Sequence, residues 1–292
     1  MVERPWDCVV CGRPAMRDPG APVDREGDLC TSCGSTWRIR AIALGALLGL
    51  GLPRLPLPRQ SPDWSRRALG VSDSVVLSAA LGSRVDYTNS YYHRFPRLDL
   101  LDVPPDVHGT MDLVTCSDVL EHVPPPADRA LTGVAALLRP GGAAVLSVPC
   151  DEHGSTREFY PGLTYWEAVP EGVSWIDAGG ARHVDETPEY HGGPGQTLAF
   201  RLWGVEDLKE RLAAVGLVDL QPLPDHPEVG VPFLAGAGVW TVRRGEEPAR
   251  PVDPAPSVTS PAPDVSPAGP PPLGPLRRRW GRRPGRSPGR AG

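Results

Sequence analysis

Lysine is almost missing from this chain: one of its 292 residues, Lys209, is a lysine, and the other positive charges are arginine. That bias reflects a GC-rich coding sequence more than a physical requirement. Long apolar runs are missing too. The longest, residues 41–52, is too short and too glycine-rich to span a bilayer, so no membrane span is expected. Met1-Val2-Glu3-Arg4-Pro5-Trp6 lacks the basic-then-apolar order of an export signal. Residues 1–40 lack the interleaved basic and aromatic side chains that an RNA-binding surface needs, so nucleic acid is not an expected partner. No internal repeat is present. Proline (37) and glycine (33) are abundant, and a hydrophobic content of 40% is adequate for one substantial core.

Charge is unevenly placed. The formal net charge is −5, yet residues 277–292 hold seven arginines and no acid, so the rest of the chain carries −12. A basic tail on an acidic body suits nucleic acid or an anionic membrane face. The plainer expectation is a disordered tail, because arginine, proline, glycine and one tryptophan cannot build a core.

Four of the six cysteines stand as Cys8-x2-Cys11 and Cys30-x2-Cys33, with 18 residues between the pairs. Each pair presents two thiolates from one tight turn, and two pairs complete a tetrahedron around one Zn2+. Gly12 and Gly34 follow the second cysteine of each pair, where such a turn often needs a positive φ. Four thiolates leave no open position, so the metal would be structural. A pair of disulfides or a redox dithiol are the alternatives. Reduced cysteines and the lack of an export signal point to a cytoplasmic protein.

Residues 1–36 read as this four-cysteine module and 37–63 as a helix followed by a stiff proline-rich connector. Residues 64–244 alternate short apolar runs with helical segments, and 245–292 read as disordered. Within the third segment, 111–116 is a buried strand and 127–138 an amphipathic helix stopped by Arg139-Pro140-Gly141-Gly142. Residues 143–148 form the next strand. Strand, helix, strand implies parallel pairing with a right-handed crossover. Further strands are expected at 83–87, 98–101, 218–220 and 238–242, with a helix over 205–215 ended by Gly216. The fold class is α/β, a doubly wound, mostly parallel sheet.

Ligands of such sheets bind beyond the carboxyl ends of the strands. The residues there are Cys116-Ser117-Asp118-Val119-Leu120-Glu121-His122-Val123, beside Val148-Pro149-Cys150. With Asp112-Leu113-Val114 before them and Leu138-Arg139-Pro140-Gly141-Gly142 and Ser147-Val148-Pro149 after, this order resembles class I S-adenosylmethionine-dependent methyltransferases. The resemblance extends to a bacterial subgroup with an N-terminal four-cysteine module. It is carried by Cys33-Gly34-Ser35 with Arg38 and Arg40, Gly70-Val71-Ser72-Asp73, Tyr87-Thr88-Asn89-Ser90-Tyr91-Tyr92-His93, Pro96-Arg97-Leu98-Asp99 and the stretch from His191 to Leu198. It covers roughly residues 5–244.

The resemblance implies a Rossmann-like methyltransferase domain over 64–244 that binds S-adenosylmethionine. The chain departs from the family in lacking the loop E/D-x-G-x-G-x-G after the first strand. The replacement is 68–74, with Gly70 giving clearance and Ser72 and Asp73 as polar contacts. Asp86 or Asn89 would hold the ribose, while Asp99 and Asp102 either accept from the adenine amino group or cap turns. Cys116 and Ser117 flank the donor, and Asp118 orders the loop or contacts it. Cys116 and Cys150 read as small buried residues, not as nucleophiles. His122 is the expected base, or else a helix-start histidine bonded to backbone. Residues 191–195 are a lid or a connector, with His191 or His183 facing the acceptor. The expected activity is methyl transfer to an unidentified acceptor, more readily a hydroxyl of a small molecule or saccharide. The alternative is an inactive methyltransferase-like scaffold that binds a partner.

Overall fold

The computed structural model describes residues 4–17, 22–191 and 197–246. Strands β1 (Arg4–Asp7) and β2 (Pro14–Arg17) form an antiparallel hairpin whose turn carries the first cysteine pair. The second pair precedes helix α1 (Trp37–Gly49), which starts where the Thr36 hydroxyl accepts from the Ile39 amide. Next come β3 (Asp63–Val71), α2 (Val75–Gly82) and β4 (Val85–Ser90), then β5 (Met111–Ser117), α3 (Ala127–Leu137) and β6 (Leu138–Ser147). An antiparallel insertion follows, with β7 (Tyr165–Val169), β8 (Gly172–Ile176) and β9 (Arg182–Asp185). The chain returns through β10 (Arg201–Gly204), α4 (Val205–Ala214), β11 (Leu217–Pro222) and β12 (Val239–Arg244).

The central sheet runs β11-β12-β6-β5-β3-β4. Its four strands β6, β5, β3 and β4 are parallel, and β12 and β11 join antiparallel at one edge. Leu113, Ala143 and Val145 share a buried cluster with α1 and with both cysteine pairs. Their neighbours Val114, Ala144 and Leu146 therefore point to the opposite face, where α3 packs. The apolar run 41–52 is mostly α1, buried between the sheet and the cysteine module. Its glycines let it lie close: a Cβ on Gly45 would stand 2.7 Å from Cγ1 of Val145. Among the described residues, no helix is long and apolar enough to cross a membrane.

Two expectations need correcting. Residues 98–101 form a turn, not a strand, which leaves β4 at the sheet edge. Leu98 and Leu100 are buried, and the carbonyl of Leu100 sits so close over Gly133 of α3 that any Cβ there would clash. That position pulls the segment off the sheet. The stop at Arg139-Pro140-Gly141-Gly142 ends α3 but also opens β6, with Gly141 at φ +71° and a register shift against β5. The insertion between β6 and β10 was not legible as a separate antiparallel unit. It has its own aromatic cluster of Tyr160, Trp175 and Phe200 in edge-to-face contact. The expected tail from 247 onward and the loop residues 192–196 lie outside the described residues.

Candidate functional site

Three groups of side chains meet near the carboxyl ends of the parallel strands. The first is the cysteine cluster behind them. Sγ atoms of Cys8 and Cys33 lie 3.8 Å apart, as do those of Cys11 and Cys30, and all four fall within 4.8 Å of one another. A tetrahedral zinc ion with bonds of about 2.3 Å would set its sulfur ligands about 3.8 Å apart, so the donor set fits that ion. Gly12 and Gly34 take φ +70° and +72°, and their amides donate to the Cys8 and Cys30 carbonyls. The fully buried Arg40 braces this module. It donates to the carbonyls of Gly230 (2.6 Å), Asp28 (2.8 Å) and Ser35 (2.7 Å), pairs with the Asp28 carboxylate and stacks on Trp6.

The second group is a cleft beyond β3 and β5, lined by Arg38, Ile39, Ile42, Ser72, Asp73, Ser74, Leu77 and Ser117. One wall is therefore α1, directly continuous with the cysteine module. Asp73 is buried at its base. Its Oδ2 accepts from the Tyr87 hydroxyl (2.6 Å) and from the Thr115 hydroxyl, while Oδ1 has no partner. Burial pushes this carboxyl up to about 6, against the lowering effect of the two hydroxyls and Arg38. Gly70 is spent on this arrangement: a Cβ there would stand 1.9 Å from Oη of Tyr87. Ser72 sits exposed at φ +60°. Asn89 grips the backbone of Asp73 at both ends, accepting from its amide (3.0 Å) and donating to its carbonyl (2.8 Å). Asp99 accepts from the Leu101 amide as a turn cap, and Asp102 is exposed beside it. Cys116 is fully buried, and burial raises its thiol well above the ordinary value.

At the mouth of β5, Asp118 (φ +51°) holds together two parts of the chain. Arg25 binds it bidentately at 2.7 and 2.9 Å, Arg38 approaches to 3.2 Å, and the Ser147 hydroxyl donates at 2.6 Å. Burial raises this carboxyl, but the Arg25 bonds and the two guanidinium charges outweigh it and hold Asp118 below the usual range. Arg38 also donates to Ser117 (2.7 Å) and to Glu26. Arg25, between the cysteine pairs, carries no motif signal and was missed. Arg38 stands in the quoted motif, but its target did not show.

The third group follows Asp118. Nδ1 of His122 donates to the Leu198 carbonyl (2.8 Å), which leaves Nε2 as the lone-pair nitrogen, 2.9 Å from Nδ1 of His191. The Glu121 carboxylate is wholly buried beside both rings, 3.6 Å from His122 and 3.5 Å from His191. The 3.5 Å approach is an ion pair and no full hydrogen bond. The adjacent Glu121 charge raises His191 despite its partial burial. The turn is fixed by the insertion: Arg201 donates to the carbonyls of Leu120 and Val123, and the Phe200 amide donates to the Glu121 backbone carbonyl. His183 instead pairs with Asp177 and stacks on Trp175, away from this group.

Residues 93–220 match the profile of the family described as "Methyltransferase domain". Over those residues the chain resembles a methyltransferase domain. The matched stretch includes β5, Asp118, Glu121, His122 and β6 and begins after Asn89, beyond the 72–74 turn that follows β3. The chain is similar to the ubiquinone biosynthesis O-methyltransferase of Dechloromonas aromatica (strain RCB), 32% identical over 35% of this chain and 40% of that protein. To that of Burkholderia ambifaria (strain MC40-6) it is 36% identical over 34% of this chain and 38% of the relative. The chain thus spans about two fifths of the length of these curated relatives. A solved S-adenosylmethionine-dependent methyltransferase from Clostridium acetobutylicum ATCC 824 superposes with a TM-score of 0.43 at 10% identity. That superposition covers 75% of this chain and 96% of that one.

Proposed function

We propose that this protein transfers a methyl group from S-adenosylmethionine to a hydroxyl of a small molecule or saccharide, and that Zn2+ on Cys8, Cys11, Cys30 and Cys33 holds the N-terminal wall of the donor cleft. The observation that carries this reading is the cleft itself. Apolar Ile39, Ile42 and Leu77 face polar Ser72, Asp73, Ser74, Ser117 and Arg38, the mix of side chains that lines small-molecule sites. The partnerless Oδ1 of Asp73 at its base can accept a hydrogen bond. The O-methyltransferase names of the relatives support an oxygen acceptor.

When bound, the donor supplies a sulfonium methyl and its own leaving group. The protein then has to align the acceptor and exclude water. Asp118, held by Arg25 and Arg38, closes the end of β5 and locks the cysteine module over the cleft. With Nδ1–H committed to Leu198, Nε2 of His122 is placed to take the acceptor's proton.

A second reading, a scaffold that binds no donor, draws on one observation. Asn89, Asp99 and Asp118 spend their side chains on protein partners and leave few polar groups for a ribose or an adenine. Calorimetric titration of the zinc-loaded chain with S-adenosylhomocysteine separates the two. Saturable binding near one per chain supports the enzyme, and no binding in folded protein leaves the scaffold.

A further inference from the structure

Glu121, His122 and His191 form a group that donor binding does not use. Each offers one ligand atom, and these atoms all lie within 4.8 Å of one another. The Glu121 carboxylate is completely buried, yet neither of its oxygens has a hydrogen-bond partner. A buried carboxylate is costly unless paired or bound to a metal. Its nearest polar neighbours are the two imidazoles, at 3.6 and 3.5 Å, too long for good hydrogen bonds but natural spacing for atoms that share an ion. His122 is set up as a ligand: its far nitrogen donates to the Leu198 carbonyl, which fixes the tautomer and aims the Nε2 lone pair at the group. His191 Nδ1 lies 2.9 Å from that nitrogen, with the rings nearly perpendicular. Two chain segments 69 residues apart thus bring two imidazoles and an orphaned carboxylate to one point.

We propose that Glu121, His122 and His191 bind a divalent first-row transition-metal ion, separate from the four-cysteine site. Two nitrogen ligands and one oxygen ligand favour such an ion over Mg2+ or Ca2+, which prefer all-oxygen sets. Three protein ligands leave positions open for water or for an oxygen of another molecule. The site adjoins the cleft, since Glu121 follows closely on Ser117, which ends β5 and lines the cleft. The existence of the site does not depend on methyl transfer; its part in the reaction rests on the function proposed above. On that reading the open position takes the acceptor hydroxyl, and His122 acts as a ligand instead of a free base. The ion lowers the hydroxyl's pKa and its proton passes to water; the methyl–sulfur bond breaks as the carbon–oxygen bond forms.

The test is a metal count on the full chain. Protein purified with zinc is equilibrated with Co2+, freed of loose metal by gel filtration, and its zinc and cobalt are summed. Two metals per chain are expected in the native sequence. Weak visible cobalt bands without sulfur-to-cobalt charge transfer should mark the second ion. His122→Ala and His191→Ala should each hold one metal while keeping the cysteine-bound ion, which reports that they are folded. S-adenosylhomocysteine binding by His191→Ala should match the native chain, so failure of the donor site and failure of this site read out separately. One metal per chain in the native sequence, or two in either histidine variant, overturns the proposal.

Discussion

Asp73→Asn tests the base of the proposed donor cleft directly. Both hydroxyls that reach Asp73 donate to Oδ2, and Oδ1 accepts nothing. An asparagine with its carbonyl in the Oδ2 position keeps both bonds, and its amide takes the partnerless position. What changes is the charge. Burial raises the Asp73 carboxyl from 3.8 to about 6, so the folded protein holds this proton over a range where the unfolded chain has released it. Stability therefore falls as pH rises from about 4 to 6 and is level above, the reverse of an ion-paired aspartate. At about 1.4 kcal/mol per tenfold, that rise costs about 3 kcal/mol at neutral pH. Urea unfolding followed by tryptophan fluorescence, run from pH 4 to 7.5 without donor, should show the native chain losing nearly that much relative to Asp73→Asn. Stability curves that stay parallel across this range would refute the argument that Asp73 is buried at the cleft without full compensation.

Arg40→Met should cost about 3 to 5 kcal/mol, the usual penalty for removing one partner of a buried ion pair, and lower Tm by about 10 °C. Its zinc content should also fall; thermal melting and metal analysis check both, and an unchanged Tm would show that Arg40 does not brace the module. Gly70→Ala should cost about 2 kcal/mol by driving Tyr87 off Asp73, and should weaken S-adenosylhomocysteine binding. Calorimetry that finds native affinity in this variant would mean the Tyr87–Asp73 contact does not shape the cleft.

Local features of the chain were legible because they are written in spacing. The cysteine pairs with their trailing glycines, helix α1, and the strand–helix–strand unit from Met111 to Ser147 follow from periodicities of a few residues. The same rules failed at 98–101, where an apolar alternation suited to a strand is instead drawn beneath α3 by a contact at Gly133. They also failed across the insertion, whose short strands carry too few residues for a clear period.

Around the site the division is sharper. The sequence by itself determined which residues stand at the ends of the parallel strands, because chain order and strand direction place Ser72, Asp73, Ser117, Asp118 and His122 there. Only the tertiary structure decided what each of them touches. Arg25 reaches Asp118 across 93 positions, His191 reaches His122 across 69, and Arg201 reaches Leu120 across 81. Such contacts depend on how the cysteine module and the insertion pack against the sheet, and no local pattern encodes that packing. Asp73 shows the consequence: its place beside the cleft was readable from chain order, while its burial beneath Tyr87 and Thr115 comes from three strands meeting side by side.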